Sequence, residues 1–239
     1  MTIVAFPVKL SAFDASCEGD LLHMSKIYQT FCFLAMIFTP LLTNAAEFEL
    51  NRDYKLVLKP QPPSHQNTVE VVEFFSYACP GCYALEPTLE SWLITKPKYV
   101  SFDRIPVIYH LEWYPLAKAY YTAKVLHVAN RITPILFATA HQGQQDLTNP
   151  ATLSLFFQKE GVKAEDFSNT YHFLPGIDSQ VSQGDQLMRQ YGITVIPTFV
   201  INGLYQTDLR FSKGDPHRLM QIINFLIAQE AHKIPTHKK

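Results

Sequence analysis

The chain has 239 residues with 20 Lys plus Arg against 21 Asp plus Glu, and so small a net charge removes nonspecific nucleic-acid binding as the default reading. Hydrophobic residues make up 47% and charged residues only 17%, a composition that supports a packed core and argues against intrinsic disorder. Four cysteines are too few to staple a fold of this length with disulfides, so their positions matter more than their number.

The amino-terminal part reads as an export segment. Residues 31–42 (FCFLAMIFTPLL) form a compact apolar run that follows Lys26 and precedes Thr43-Asn44-Ala45-Ala46, small residues spaced as a signal peptidase requires. The run is shorter than the roughly 18 apolar residues that span a bilayer and is broken by Pro40, so a cleaved signal is expected rather than a permanent anchor. Met24 is the most natural start, which makes 24–45 the signal peptide, with cleavage after Ala45 or Ala46. Residues 1–23, with acidic Asp14, Glu18 and Asp20, are then a non-native or untranslated extension; a genuine extension is the alternative. Cleavage removes Cys17 and Cys32 and leaves only Cys79 and Cys82 in an exported, oxidising compartment.

In the mature part, residues 54–58 are extended and lead into a proline-rich turn at Pro60, Pro62 and Pro63. Residues 69–76 (VEVVEFFS) are an almost unbroken β-branched and aromatic run, the pattern of a strand buried on both faces. A helix is predicted from Pro80 to about Ile94, with Pro80 at the first position, where its missing N–H costs nothing. Residues 100–108 read as a second strand, followed by helices over 115–126, 134–142, 150–161, 164–171 and 177–191. Thr133-Pro134, Asn149-Pro150 and Asp215-Pro216 each set a capping side chain before a proline suited to the first helical position. Residues 195–201 and 204–208 around Asn202-Gly203 predict a β-hairpin, and 216–231 a final amphipathic helix before a frayed polar tail over 232–239. This order predicts a mixed α/β sheet, built from 46–112 and 192–239 and interrupted by an all-helical insertion over 113–191.

Cys79-Pro80-Gly81-Cys82 lies at the strand-to-helix junction. Unpaired N–H groups and the partial positive charge of a helix N-terminus stabilise a thiolate, which makes Cys79 the expected nucleophile and Cys82, one turn further in, the resolving thiol. Two other readings compete. A structural zinc site needs four ligands and the chain has no second C-x-x-C, while a static disulfide closing so small a loop adds little stability. Glu73, in an otherwise apolar strand, either forms a buried pair or lies at a strand edge in water with Arg104 a surface cation. Tyr109, His110, Trp113, Tyr114, Tyr120 and Tyr121 read as core, with a groove lining as the alternative, and His127, His141 and His172 as ordinary surface or capping histidines. Phe75 and Tyr77 are candidates for an apolar surface around the cysteines.

The segment VVEFFSYACPGCY (71–83) resembles the active-site segment of the DsbA family of periplasmic thiol oxidases, and VIPTFVING (195–203) resembles that family's second signature, a cis-proline loop entering a hairpin. The resemblance spans essentially the whole mature chain. It implies a thioredoxin fold with an inserted all-helical domain, a cis Ile196-Pro197 bond, and a redox-active Cys79-Cys82 pair that introduces disulfides into reduced, unfolded secreted proteins. It implies substrate contacts at Ile196, Pro80, Gly81 and Tyr77, a role for Pro197 beside the disulfide, and Arg104 as the basic partner of Glu73, which would exchange a proton with Cys82. A DsbB-type membrane quinone reductase is the expected reoxidising partner. No cofactor, metal or nucleic acid is expected, and the protein is expected to be a periplasmic monomer. The alternatives are an isomerase or reductase on the same fold, disfavoured because 47–66 is too short for a dimerisation domain, and a non-catalytic, chaperone-like binding module. Two departures bear on redox strength: Gly81 stands where the family commonly has histidine, and Pro87 is expected to kink the helix.

Overall fold

The structure, a computed structural model, describes residues 48–62, 67–143 and 145–233. The expected extension, signal peptide and most of the polar tail lie outside these residues. A five-stranded sheet has the order β1-β5-β4-β2-β3, with β1 Lys55–Leu56, β2 Val69–Phe75, β3 Val100–Pro106, β4 Thr198–Ile201 and β5 Tyr205–Asp208. Helix α1 (Pro80–Thr95) joins β2 to the parallel β3, and helices α2 (Tyr114–Val125), α3 (Ala129–Gln142), α4 (Pro150–Lys159), α5 (Ala164–Phe173) and α6 (Pro175–Tyr191) intervene before the antiparallel β4 and β5. Helix α7 (Pro216–Ala231) ends the described fold.

Alternation along β2 assigns its two faces. Val69 and Val71 pack with Leu85 and Leu89 of α1 and with Leu219, Ile222 and Ile223 of α7, while Phe74 packs with Met188 and Tyr191 of α6. Glu73 shares the face of Val71, so the strand's pleat turns its carboxyl toward α1 rather than toward water. A third cluster joins Phe75, Tyr77 and both cysteines to the inserted helices through Tyr120, Phe137 and Phe157. The cysteines therefore sit where the sheet layer meets the helical insertion.

Caps account for several helix starts. Asn149 and Asp215 each accept an N–H two residues on at 2.8 Å, with the following proline inside the first turn, as predicted. Thr133-Pro134 does not do this. Helix α3 begins at Ala129, five residues before the expected start, and Pro134 lies inside it. Burial of Ile132 in the insertion's core carries the extra turn, and Thr133 is free to bond elsewhere. The predicted hairpin strand over 195–201 starts only at Thr198, because Val195 to Pro197 form a loop, and β3 stops at Pro106 rather than at 108. Asn202 and Gly203 both have positive φ (49° and 62°), the backbone that an Asn-Gly turn supplies. Asn202 also accepts the Glu70 N–H at 2.8 Å, which ties the turn to β2.

Candidate active site

Strand β2 delivers the chain to the sheet's end, and α1 starts at Pro80, so Cys79 occupies the N-cap position with extended backbone (φ −85°, ψ 116°). The Cys79 sulfur does what a capping oxygen normally does: it accepts the Cys82 N–H at 3.3 Å. The Cys82 side chain also hydrogen-bonds to it, and together with the Cys82 and Gly81 amides this bond outweighs burial and the repulsion of Glu73, lowering the Cys79 thiol to about 7. Cys82 is fully buried, and burial, its bond to Cys79 and the charge of Glu73 push its thiol well above the ordinary range. Both thiols are free.

The second signature closes over the first. Ile196-Pro197 is cis, Pro197 is buried, and the Ile196 carbonyl lies 3.7 Å from the Cys79 sulfur. A β-carbon on Gly81 would lie 3.5 Å from Pro197 Cδ and 3.8 Å from Cys79 Sγ, ordinary contact distances, so the dipeptide packs directly against the proline loop. Pro80 is exposed beside it. Burial, with the charges of Cys79 and Cys82, raises the hydroxyl of the partly exposed Tyr109 above the ordinary range.

Below the cysteines, the parallel register pairs Glu73 with Arg104 across β2 and β3. Arg104 Nε donates to Glu73 at 2.7 Å and its Nη2 donates to Glu86 at 2.6 Å, while the rings of Phe75 and Phe102 flank the guanidinium at 5.6 and 5.5 Å. The buried-pair reading of Glu73 and Arg104 therefore replaces the strand-edge alternative. Sequence reasoning missed Glu86; it lies four residues after Cys82, on the same face of α1, and an acid at that spacing on an otherwise apolar face was the available signal. One guanidinium cannot neutralise two carboxylates. Burial pushes Glu73 up against the pull of Arg104, and burial takes Glu86 to about 8. Glu86 and Arg104 also line a cavity of about 590 Å³, shared with Asp103, Lys124 and Thr133, that neither cysteine borders.

Tyr77 corrects an expectation. It is 1% exposed and its hydroxyl bonds Thr133 Oγ1 at 2.9 Å, so its ring is a core contact of the insertion and is closed to substrate; Phe75 is buried likewise. The aromatic cluster divides: Tyr120 and Tyr121 are core, whereas Tyr109 and His110 are exposed and pack against Trp113. His141 is not an ordinary surface histidine, since it bonds the Tyr77 carbonyl at 2.9 Å and stacks on Tyr83. Among the described residues no group of His, Cys, Asp and Glu is placed to hold a metal ion, and no helix is long and apolar enough to cross a membrane.

A thioredoxin-like sheet with a capped dithiol at the mouth of α1 and a cis-proline loop against it defines a thiol:disulfide oxidoreductase. A family model described as Thioredoxin matches residues 64–213. The thiol:disulfide interchange protein DsbA of Burkholderia cepacia is 31% identical over 183 residues, covering 76% of this chain and 85% of the relative, and that of Pseudomonas aeruginosa is 31% identical over 78% and 87%. The crystal structure of Pseudomonas aeruginosa DsbA aligns with a TM-score of 0.73 at 30% identity, covering 79% of this chain and 97% of that one. The chain belongs to the DsbA family.

Proposed function

We propose that the protein is a periplasmic oxidase that donates the Cys79-Cys82 disulfide to reduced, unfolded secreted proteins. The observation that carries this reading is the geometry of the pair: the Cys79 sulfur caps the helix mouth, accepting the Cys82 N–H at 3.3 Å beside the cis-proline loop, while Cys82 is fully buried beneath it. A substrate thiolate attacks Cys79 Sγ; the Cys79–Cys82 bond breaks, its electron pair passes to Cys82, and that sulfur takes up a proton. A second substrate thiolate attacks the substrate sulfur of the mixed disulfide and expels Cys79 as a thiolate. The substrate leaves oxidised by two electrons and the protein leaves reduced. A low thiol pKa makes Cys79 a good leaving group and stabilises the reduced protein, which is the condition for a strong disulfide donor.

The other residues take supporting parts in this reading. The partly buried Ile196 presents its backbone beside Cys79, where an extended substrate can pair with it as an added strand whatever its side chains, and Pro197 holds that loop against the dithiol. Pro80, Gly81 and Tyr109 form the rim that substrate meets. Glu73, whose charge acts on Cys82, gives and takes the proton of that sulfur, and Glu86, on the cavity, passes it to solvent away from the substrate. A DsbB-type membrane quinone reductase restores the disulfide, and the catalyst works as a monomer exported by its cleaved signal.

Equilibration of the pair with glutathione buffers, read by mass-shift trapping of free thiols, tests the direction of flow. A reduction potential well above about −270 mV, the value of thioredoxin, is expected. A value at or below it means a reductase or a static disulfide, and the oxidase reading fails.

A further inference from the structure

Tyr77 stands two residues before Cys79 and Tyr83 one residue after Cys82, so the two tyrosines bracket the redox loop, and one helix of the insertion holds both. Thr133, Phe137 and His141 recur every four residues along α3 and form a single stripe. Each grips Tyr77 at a different point. Thr133 Oγ1 bonds its hydroxyl at 2.9 Å, Phe137 meets its ring edge-on at 4.9 Å, and His141 Nε2 bonds its carbonyl at 2.9 Å. A carbonyl oxygen only accepts, so His141 donates, and its Nε2 carries the proton. The same stripe holds Tyr83, whose ring stacks on His141 at 4.7 Å and 7° and whose hydroxyl accepts from Gln142 Nε2. Apolar packing alone would hold α3 against the loop, but the directed bonds fix the loop's rotation as well.

We propose that His141 is a positioning residue for the redox reaction: by donating to the Tyr77 carbonyl it fixes the loop into Cys79, and so keeps the Cys82 amide aimed at the Cys79 sulfur. This rests on Cys79 being the sulfur that substrate attacks and that leaves as a thiolate. The hydrogen bond from the Cys82 N–H to the Cys79 sulfur, at 3.3 Å, is sensitive to direction, so a loop freed at Tyr77 loses part of it, and with it part of the thiolate's stabilisation. The insertion thereby sets the poise of a dithiol carried by the other domain.

The test compares two variants by thiolate absorbance of the reduced protein against pH. His141→Phe keeps a flat ring over Tyr83 and loses the donor; His141→Gln keeps a donor and loses the stack, and neither carries charge. The Phe variant is expected to raise the Cys79 pKa by about half a unit, roughly threefold less thiolate at low pH, and to shift the glutathione equilibrium about threefold, or about 15 mV, toward a weaker oxidant. The Gln variant is expected to titrate as wild type. Wild-type titration in both, even with a lowered melting temperature, would overturn the proposal, and so would an equal shift in both. Should His141→Phe fail to fold, His141→Met, which matches the Gln variant in length and lacks the donor, is expected to raise the pKa in the same direction relative to His141→Gln, and no difference between the two overturns it. A wild-type Cys79 pKa near 9 would instead sink the reading of Cys79 on which this rests.

Discussion

Cys79 and Cys82 are chemically identical and one helical turn apart, yet their surroundings are opposed. Around Cys79, which keeps 7% of its surface exposed, are amide hydrogens and a cis-proline loop; around Cys82 are β2, a fully buried side-chain environment and two carboxylates sharing one arginine. The comparison teaches that position relative to a helix terminus divides the work of a dithiol. In the proposed reaction the sulfur that is expelled is the one stabilised as an anion, and its buried partner is the one held as a thiol.

The sharpest break of that asymmetry is Cys79→Ala, which is expected to reduce disulfide exchange to the rate without protein while leaving the fold intact, whereas a binding module would keep its activity in vivo. Cys82→Ser is expected to do the converse: Cys79 still attacks disulfide substrates, and a mixed disulfide that wild type resolves accumulates on non-reducing gels. On the buried side, Arg104→Met leaves two carboxylates without their cation and is expected to cost about 3–5 kcal/mol in urea unfolding. That loss should be smaller at pH 5 than at pH 8, because protonated carboxyls need no partner.

A gentler probe is Glu86→Gln. Glu86 is raised in the folded protein from 4.5 to about 8 by burial, so its contribution to stability is present below pH 4.5 and is lost as pH rises toward 8. Thermal melts of the reduced variant are therefore expected to decline less across that window than those of wild type. The smallest effect is expected from Gly81→His. A β-carbon at position 81 meets Pro197 and the Cys79 sulfur at ordinary contact distances, and an imidazole carried on it is expected to lower the Cys79 thiolate midpoint below about 7, by about half a unit, in an absorbance titration.

What could be read from the sequence was local. The strand over 69–76, the proline-opened helix, the Asn-Gly turn and the caps at Asn149 and Asp215 each announce themselves within a few residues, and the cysteine pair gains its meaning from the junction it occupies. Glu73 and Arg104 were legible as a pair only through the family resemblance; the register that joins them is a property of the assembled sheet. Glu86, Thr133 and His141 were illegible or misread because their partners are distant in the chain. Thr133 before a proline is a good cap by every local rule, but burial of the helix turn ahead of it decided otherwise. Tyr77 looked like a surface aromatic beside a reactive cysteine until the insertion was folded over it.

The order of the strands has a consequence for the protein's own survival. A sheet edge presents unpaired amides and carbonyls that recruit other extended chains, a hazard for any protein proposed to spend its life among unfolded ones. Here one edge, β1, is only two residues long, and the other, β3, ends in a proline and carries an exposed Asp103 tethered by Lys124. Short, proline-ended and charged borders are poor templates for aggregation. The sheet is thus guarded at its margins, while the loop at Ile196, proposed to offer its backbone to a passing chain, lies beside the Cys79 sulfur.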